Sequence, residues 1–309
     1  MQLYPHVFST LKIGNVEVKN RIEVPPMGTC LPTPEGRVTR ELIEFYKNMA
    51  RGGPGLVVVG ECAIDDEYAR AHVGLLHAGD DGAIPGLNAL AEGVQRYGAK
   101  VSIELNHSGR LVHPNMLNGK SPIGPSPVIS VREQLSARAE GREPVPVQQM
   151  DQEMIDRVVG HFADSCKRCL IAGFDMVMLH GGHGQLLGQF FSPGVNKRQD
   201  KYGGSLKNRA RFAVEVLEAV RKKVGNKLAI EYRISADELV LEGTHIEETI
   251  AFLKIIQDRI DLVNVSLGGI FDPRYTPFMS QPTYLPYAFN VERAAKIKKA
   301  LKIPVACVG

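Results

Sequence analysis

Short apolar runs recur along this chain, and each gives way to a stretch in which apolar residues return every three or four positions. A run that is apolar almost throughout fits a parallel strand covered on both faces; three-to-four spacing fits an amphipathic helix. RIEVPPM (21–27), LVVVG (56–60), KVSIELN (100–106), FDMVMLH (174–180), LAIEYR (228–233), DLVNVSL (261–267) and IPVACVG (303–309) are the predicted strands. Between them, 39–53, 84–98, 151–172, 205–225, 245–258 and 291–301 carry the helical spacing, with Ser205 as the cap of the fourth helix.

Strict strand–helix alternation implies an α/β fold. No glycine-rich dinucleotide fingerprint follows the first strand, which favours a (β/α)₈ TIM barrel over a doubly wound sheet. No linker or shift in composition divides the chain, so residues 1–309 are expected to form one domain. Such a barrel needs eight units and seven are legible, the last strand ending on Val308-Gly309. The expectation is a barrel that lacks its eighth βα unit in this chain, as an N-terminal fragment of a longer protein would.

Composition narrows the picture. Hydrophobic residues make up 44% and charged residues 23%, the balance of a globular domain. A net charge of +3 without a basic stripe argues against nucleic acid as a partner. No apolar run reaches the roughly 18 residues of a membrane helix, and MQLYPHVFST lacks the plan of a signal peptide. Five cysteines at irregular spacing suit a reducing compartment, so the cytoplasm is expected. Cys166 and Cys169 form a C-x-x-C, but they fall in phase with the apolar face of a helix. They read as two small buried residues rather than a metal or redox pair.

In parallel barrels the chemistry sits at the carboxyl ends of the strands. There the sequence offers PPMGTC, GEC (60–62), ELNHSGR (104–110), HGGHG (180–184) and YRIS (232–235), with long excursions over 110–150 and 183–204. The pattern describes a wide, polar, cationic mouth with His107, His180, His183, Arg110 and Arg233, suited to an anionic or carbonyl ligand.

NRIEVPPMG, ELNHSGR, HGGHGQLLGQFFSPGVNKRQDKYGGSLKNRARF and YRISADE together resemble the FMN-dependent Old Yellow Enzyme family. The resemblance is strongest to its branch of 2,4-dienoyl-CoA reductases, trimethylamine dehydrogenase-like proteins and bile-acid-inducible enoate reductases. It runs from about residue 5 to the last residue, and QFFSPGVNKRQDKYGGSLKNRARF is its most specific part.

The resemblance implies that FMN lies across the barrel mouth. Main chain at Pro26, Met27 and Gly28 would approach the isoalloxazine edge, with Cys62 nearby. Glu104 stands where relatives have a glutamine on the pyrimidine ring. An ionised glutamate only accepts hydrogen bonds, so Glu104 is expected to be protonated when FMN binds or turned away from it. Arg233 would sit by N1/O2 and stabilise the reduced, anionic ring. Of the phosphate cradle, Gly309 alone remains. His180 and His183 would donate hydrogen bonds to the carbonyl oxygen of an α,β-unsaturated substrate. Gln185 replaces the tyrosine that protonates the α-carbon in many relatives, so the proton would come from water or another residue, Tyr275 being a candidate.

On this reading NAD(P)H reduces FMN, which reduces a C=C bond conjugated to a carbonyl, in an enoate, an enoyl thioester or a 3-oxo-Δ4 steroid-like enone. Only longer members carry a 4Fe-4S cluster and FAD. The partner is then a small-molecule substrate, with homo-oligomer formation left open. Two other readings compete. One is amine oxidation of the trimethylamine dehydrogenase kind, against which the absence of tryptophan weighs. The other is a non-catalytic, flavin-free barrel.

Overall fold

The computed structural model describes residues 3–308. Seven parallel strands pair with their sequence neighbours in chain order: β1 (Glu23–Val24), β2 (Leu56–Ala63), β3 (Lys100–Asn106), β4 (Met176–His180), β5 (Ala229–Ser235), β6 (Leu262–Ser266) and β7 (Val305–Cys307). Between them run α1 (Arg40–Arg51), α2 (Ile84–Gln95), α3 (Gln152–Ile171), α4 (Leu206–Val224), α5 (Ile246–Ile256) and α6 (Val291–Ala300). All seven strands and six helices fall where the apolar patterns predict them. Among the described residues no strand joins β7 to β1, and none of their helices is long and apolar enough to cross a membrane.

The caps show why the helices begin where they do. Thr39, Asp151 and Ser205 each accept a hydrogen bond from the backbone N–H three residues on, satisfying one donor that the first turn leaves free. Cys166 and Cys169 are both buried on the inner face of α3, in the layer between helices and barrel.

Alternation along the strands divides the core in two. Val57, Val59, Val101, Ile103, Val177, Leu179, Ile230, Tyr232, Val263 and Val265 face outward into the helix layer. Leu56, Val58, Met176, Met178, Ala229 and Leu262 face inward and fill the lower barrel. A hairpin that the sequence reading did not pick out, Leu11–Ile13 paired with Val16–Val18, lies under this floor with Ile13, Val16 and Val18 buried against it. Each such side chain contributes about 1.5–3 kcal/mol by leaving water.

One irregularity decides what reaches the mouth. On β2 the pairing with β3 runs Val59 with Ile103 and then Cys62 with Leu105, so β2 carries one residue more than its partner. Below the bulge odd-numbered residues of β2 face outward. Above it the parity reverses.

Candidate active site

The strand ends enclose a cavity of about 540 Å³. Pro26, Met27 and Gly28 line it from the end of β1, Glu61 from β2, Glu104 from β3, His180 and the following turn with His183 and Gln185 from β4, and Arg233 from β5. Ile270 and the segment Met279–Gln281 form the far wall. Gly60 allows the ends of β1 and β2 to meet, since a Cβ there would lie 2.3 Å from Pro26 Cβ. A Cβ on Gly181 would come equally close to the Tyr232 side chain.

The turn after β4 answers why two histidines stand three apart among glycines. His183 has φ of 56°, a left-handed conformation that costs a bulky residue of order 1 kcal/mol. It is held there by its N–H donating to Ser235 Oγ (2.9 Å) and by a bridge to Gly269. The turn brings the two imidazoles to 4.9 Å between centroids at 89°. His180 Nδ1 accepts from the Gly182 N–H at 3.3 Å, which leaves Nε2 as the N–H donor. His183 Nε2 lies 2.7 Å from Ser266 Oγ. Burial pushes His180 down to about 4, and burial with Arg233 and His180 beside it pushes His183 well below the usual range. Both rings are neutral near pH 7. They are hydrogen-bond donors without being acids.

Arg233 Nη1 donates to Glu104 Oε1 at 3.0 Å, and His180 Nε2 lies 3.7 Å from the same oxygen. Glu104 thus meets the arginine inside the cavity. Arg233 Nε and Gln185 Oε1 are buried without a hydrogen-bond partner. Two residues below Arg233 on β5, Glu231 faces Glu23, and Asn264 Nδ2 donates to Glu23 Oε1 at 2.8 Å. Burial raises both carboxyls above their ordinary range.

Eight of the residues singled out from the sequence thus come together: Pro26, Met27, Gly28, Glu104, His180, His183, Gln185 and Arg233. Cys62 does not join them. The extra residue in β2 turns its side chain into the helix layer, fully buried, and presents Glu61 to the cavity instead. Gly309 lies outside the described residues. His107 is buried away from the mouth, its Nδ1 accepting from the Gly109 N–H and its Nε2 lying 3.7 Å from Asp65, so it ties down the loop after β3. Arg110 and Tyr275 line a separate cavity behind Phe271, which removes Arg110 from the mouth and Tyr275 from the candidates for proton delivery. Glu61 is the residue the sequence reading missed. A break in strand alternation is not visible in residue types alone.

The donor set fits FMN. Arg233 offers an unpartnered buried guanidinium N–H, and a Cβ on Gly28 would meet nothing within 4 Å, so main chain there faces open space. Pro26, Met27, Gly28, Glu104 and Arg233 are the residues that would hold the ring.

The model of the NADH:flavin oxidoreductase / NADH oxidase family matches residues 6–309. The chain is 36% identical over 310 residues to an NADH oxidase of Thermoanaerobacter brockii, covering 100% of this chain and 46% of that protein. It is 32% identical over 302 residues to the NADH:fumarate oxidoreductase of Klebsiella pneumoniae, covering 96% and 31%. Among solved structures, 2-naphthoyl-CoA reductase in complex with 2-naphthoyl-CoA superposes with a TM-score of 0.89 at 27% identity, over 99% of this chain and 46% of that one. The chain spans less than half the length of these relatives. A family model that matches residues 6–309 leads to one assignment: this chain belongs to the NADH:flavin oxidoreductase / NADH oxidase family.

Proposed function

We propose that this domain reduces a C=C bond conjugated to a carbonyl, in an enoate, an enoyl thioester or a 3-oxo-Δ4 steroid-like enone, with electrons from NAD(P)H passing through FMN. The observation that carries this reading is the pair of neutral imidazoles on one wall of the cavity, with Arg233 alongside. FMN, when bound, supplies the hydride. His180 and His183 bind the carbonyl oxygen and draw electron density from the double bond, and being neutral they do so without a charge that the substrate must displace. Arg233 offsets negative charge on the reduced ring, as preorganised donors do where charge develops.

Two of the relatives bear on this substrate class: one is an NADH:fumarate oxidoreductase, the other is bound to an aromatic acyl-CoA thioester. Amine oxidation has less support, because no phenylalanine, tyrosine or tryptophan lines the cavity among the described residues. The test is spectroscopic. A yellow preparation bleached by NADH or NADPH and recoloured by an enone supports the proposal; bleaching by tertiary amines, or a colourless protein that takes up no FMN, overturns it. His180→Ala is expected to keep bleaching and to slow recolouring by about 10²–10³-fold.

A further inference from the structure

Double-bond reduction needs a proton at the α-carbon as well as hydride at the β-carbon, and Gln185 has only an amide to offer. Besides Arg233, four titratable side chains line the cavity: Glu61, Glu104, His180 and His183. The two histidines are neutral, and a neutral imidazole N–H donates a hydrogen bond without giving up its proton. Glu104 is 3% exposed and accepts from Arg233 as one half of an ion pair. Glu61 differs from all three. It is only half-buried, it opens on the cavity, and its protein contact is the Asn106 amide, which donates to Oε1.

We propose that Glu61 is the general acid that protonates the α-carbon of the substrate. The proposal rests on the ene-reductase reading above. Hydride arriving at the β-carbon brings two electrons, and the π pair of the C=C bond moves onto the α-carbon and the carbonyl oxygen. The Glu61 O–H bond then breaks, the α-carbon–hydrogen bond forms, and the electron pair of the O–H bond stays on the carboxylate. Water returns a proton to Glu61 before the next turnover, and NAD(P)H is the reductant throughout.

The surroundings keep the proton in place at neutral pH. Burial first, and Glu104 on β3 second, push Glu61 up to about 7. Asn106 on β3, Arg233 on β5 and Arg132 beyond the mouth act in the opposite sense and leave it near neutrality. An acid is most effective when its pKa lies near the working pH. The bulge in β2 is what places this carboxyl, and not the Cys62 thiol, inside the mouth.

The experiment compares the FMN-loaded wild-type protein with Glu61→Gln in two half-reactions. Bleaching by NAD(P)H is expected to stay within about twofold, while recolouring by an enone falls by about 10²–10⁴-fold. In the wild type, recolouring declines as pH rises through about 7, and this limb is absent from Glu61→Gln. A readout independent of turnover is the infrared band of a protonated carboxyl near pH 6, present in the wild type and reduced by one group in Glu61→Gln, with or without flavin. Recolouring by Glu61→Gln within about threefold of wild type overturns the proposal, as does a wild-type rate that is flat from about pH 5 to 9. If Glu61→Gln does not fold, the wild-type pH profile decides. If the wild type is bleached yet no enone recolours it, the ene-reductase reading fails, and the infrared difference still reports whether Glu61 holds a proton; its absence overturns the acid role.

Discussion

The two ends of the barrel interior are built from the same strands and obey opposite rules. The floor is Leu56, Val58, Met176, Met178, Ala229 and Leu262 over the Ile13–Val18 hairpin, apolar and close-packed. The mouth, two to four residues further along β4 and β5, is His180 and Arg233, joined by Glu104 from β3, with unpartnered donors and acceptors left over. A floor of this kind yields stability, because apolar burial is favourable wherever shapes match. Buried charges need partners, so the mouth gives up stability for a place where a ligand completes the pairing. Between them lies a polar boundary layer, Glu23, Glu231 and Asn264, none of which lines the mouth.

Three substitutions separate these regions. In the mouth, Arg233→Met leaves Glu104 buried without its partner and is expected to cost about 3–5 kcal/mol in denaturant unfolding, together with loss of FMN affinity in a fluorescence titration. A cost below about 1 kcal/mol means that the mouth is not held by this pair. In the floor, Met178→Ala opens a cavity and is expected to cost about 2–5 kcal/mol while FMN affinity is unchanged; lost affinity with intact stability reverses the assignment of roles. The boundary layer is read by pH. The raised Glu23 and Glu231 keep their protons in the folded state, whereas the unfolded chain loses them at the ordinary carboxyl range near 4.5. The folded state then binds more protons, so stability is fully present below about 4.5 and falls as pH rises through about 7. The expected loss is shared by the two carboxyls and is on the order of a few kcal/mol. Glu231→Gln removes one carboxyl and the repulsion it exerts, and should flatten this slope when midpoints at about pH 5 and 7.5 are compared.

The floor was legible from sequence because apolar runs and helical spacing report burial directly; β3 matches its predicted run residue for residue. The hairpin beneath it was not, because strands of three residues carry too little pattern. Helix Val131–Glu140, inside the long excursion after β3, also went unread: only Ala137 on it is buried, so no apolar stripe marks it. Its signals were the Ser130 cap and Gly141, whose φ of 65° closes the helix. In the mouth, histidines among glycines and an arginine at a strand end announced themselves by type. Arg110, His107 and Tyr275 carried equally suggestive chemistry and turned out to serve loops or another cavity, since residue type does not reveal which way a loop folds.

The single surplus residue in β2 has a meaning for how such sites diversify. Were the same residues of β2 to run through Gly60–Cys62 in strict alternation, without the bulge, the strand would turn a sulfhydryl rather than a carboxylic acid inward, with neither side chain itself mutated. Chemistry at a strand terminus can therefore be rewritten by the register of a strand as readily as by the identity of its residues, and a comparison of relatives that reads residue types alone will misjudge that corner.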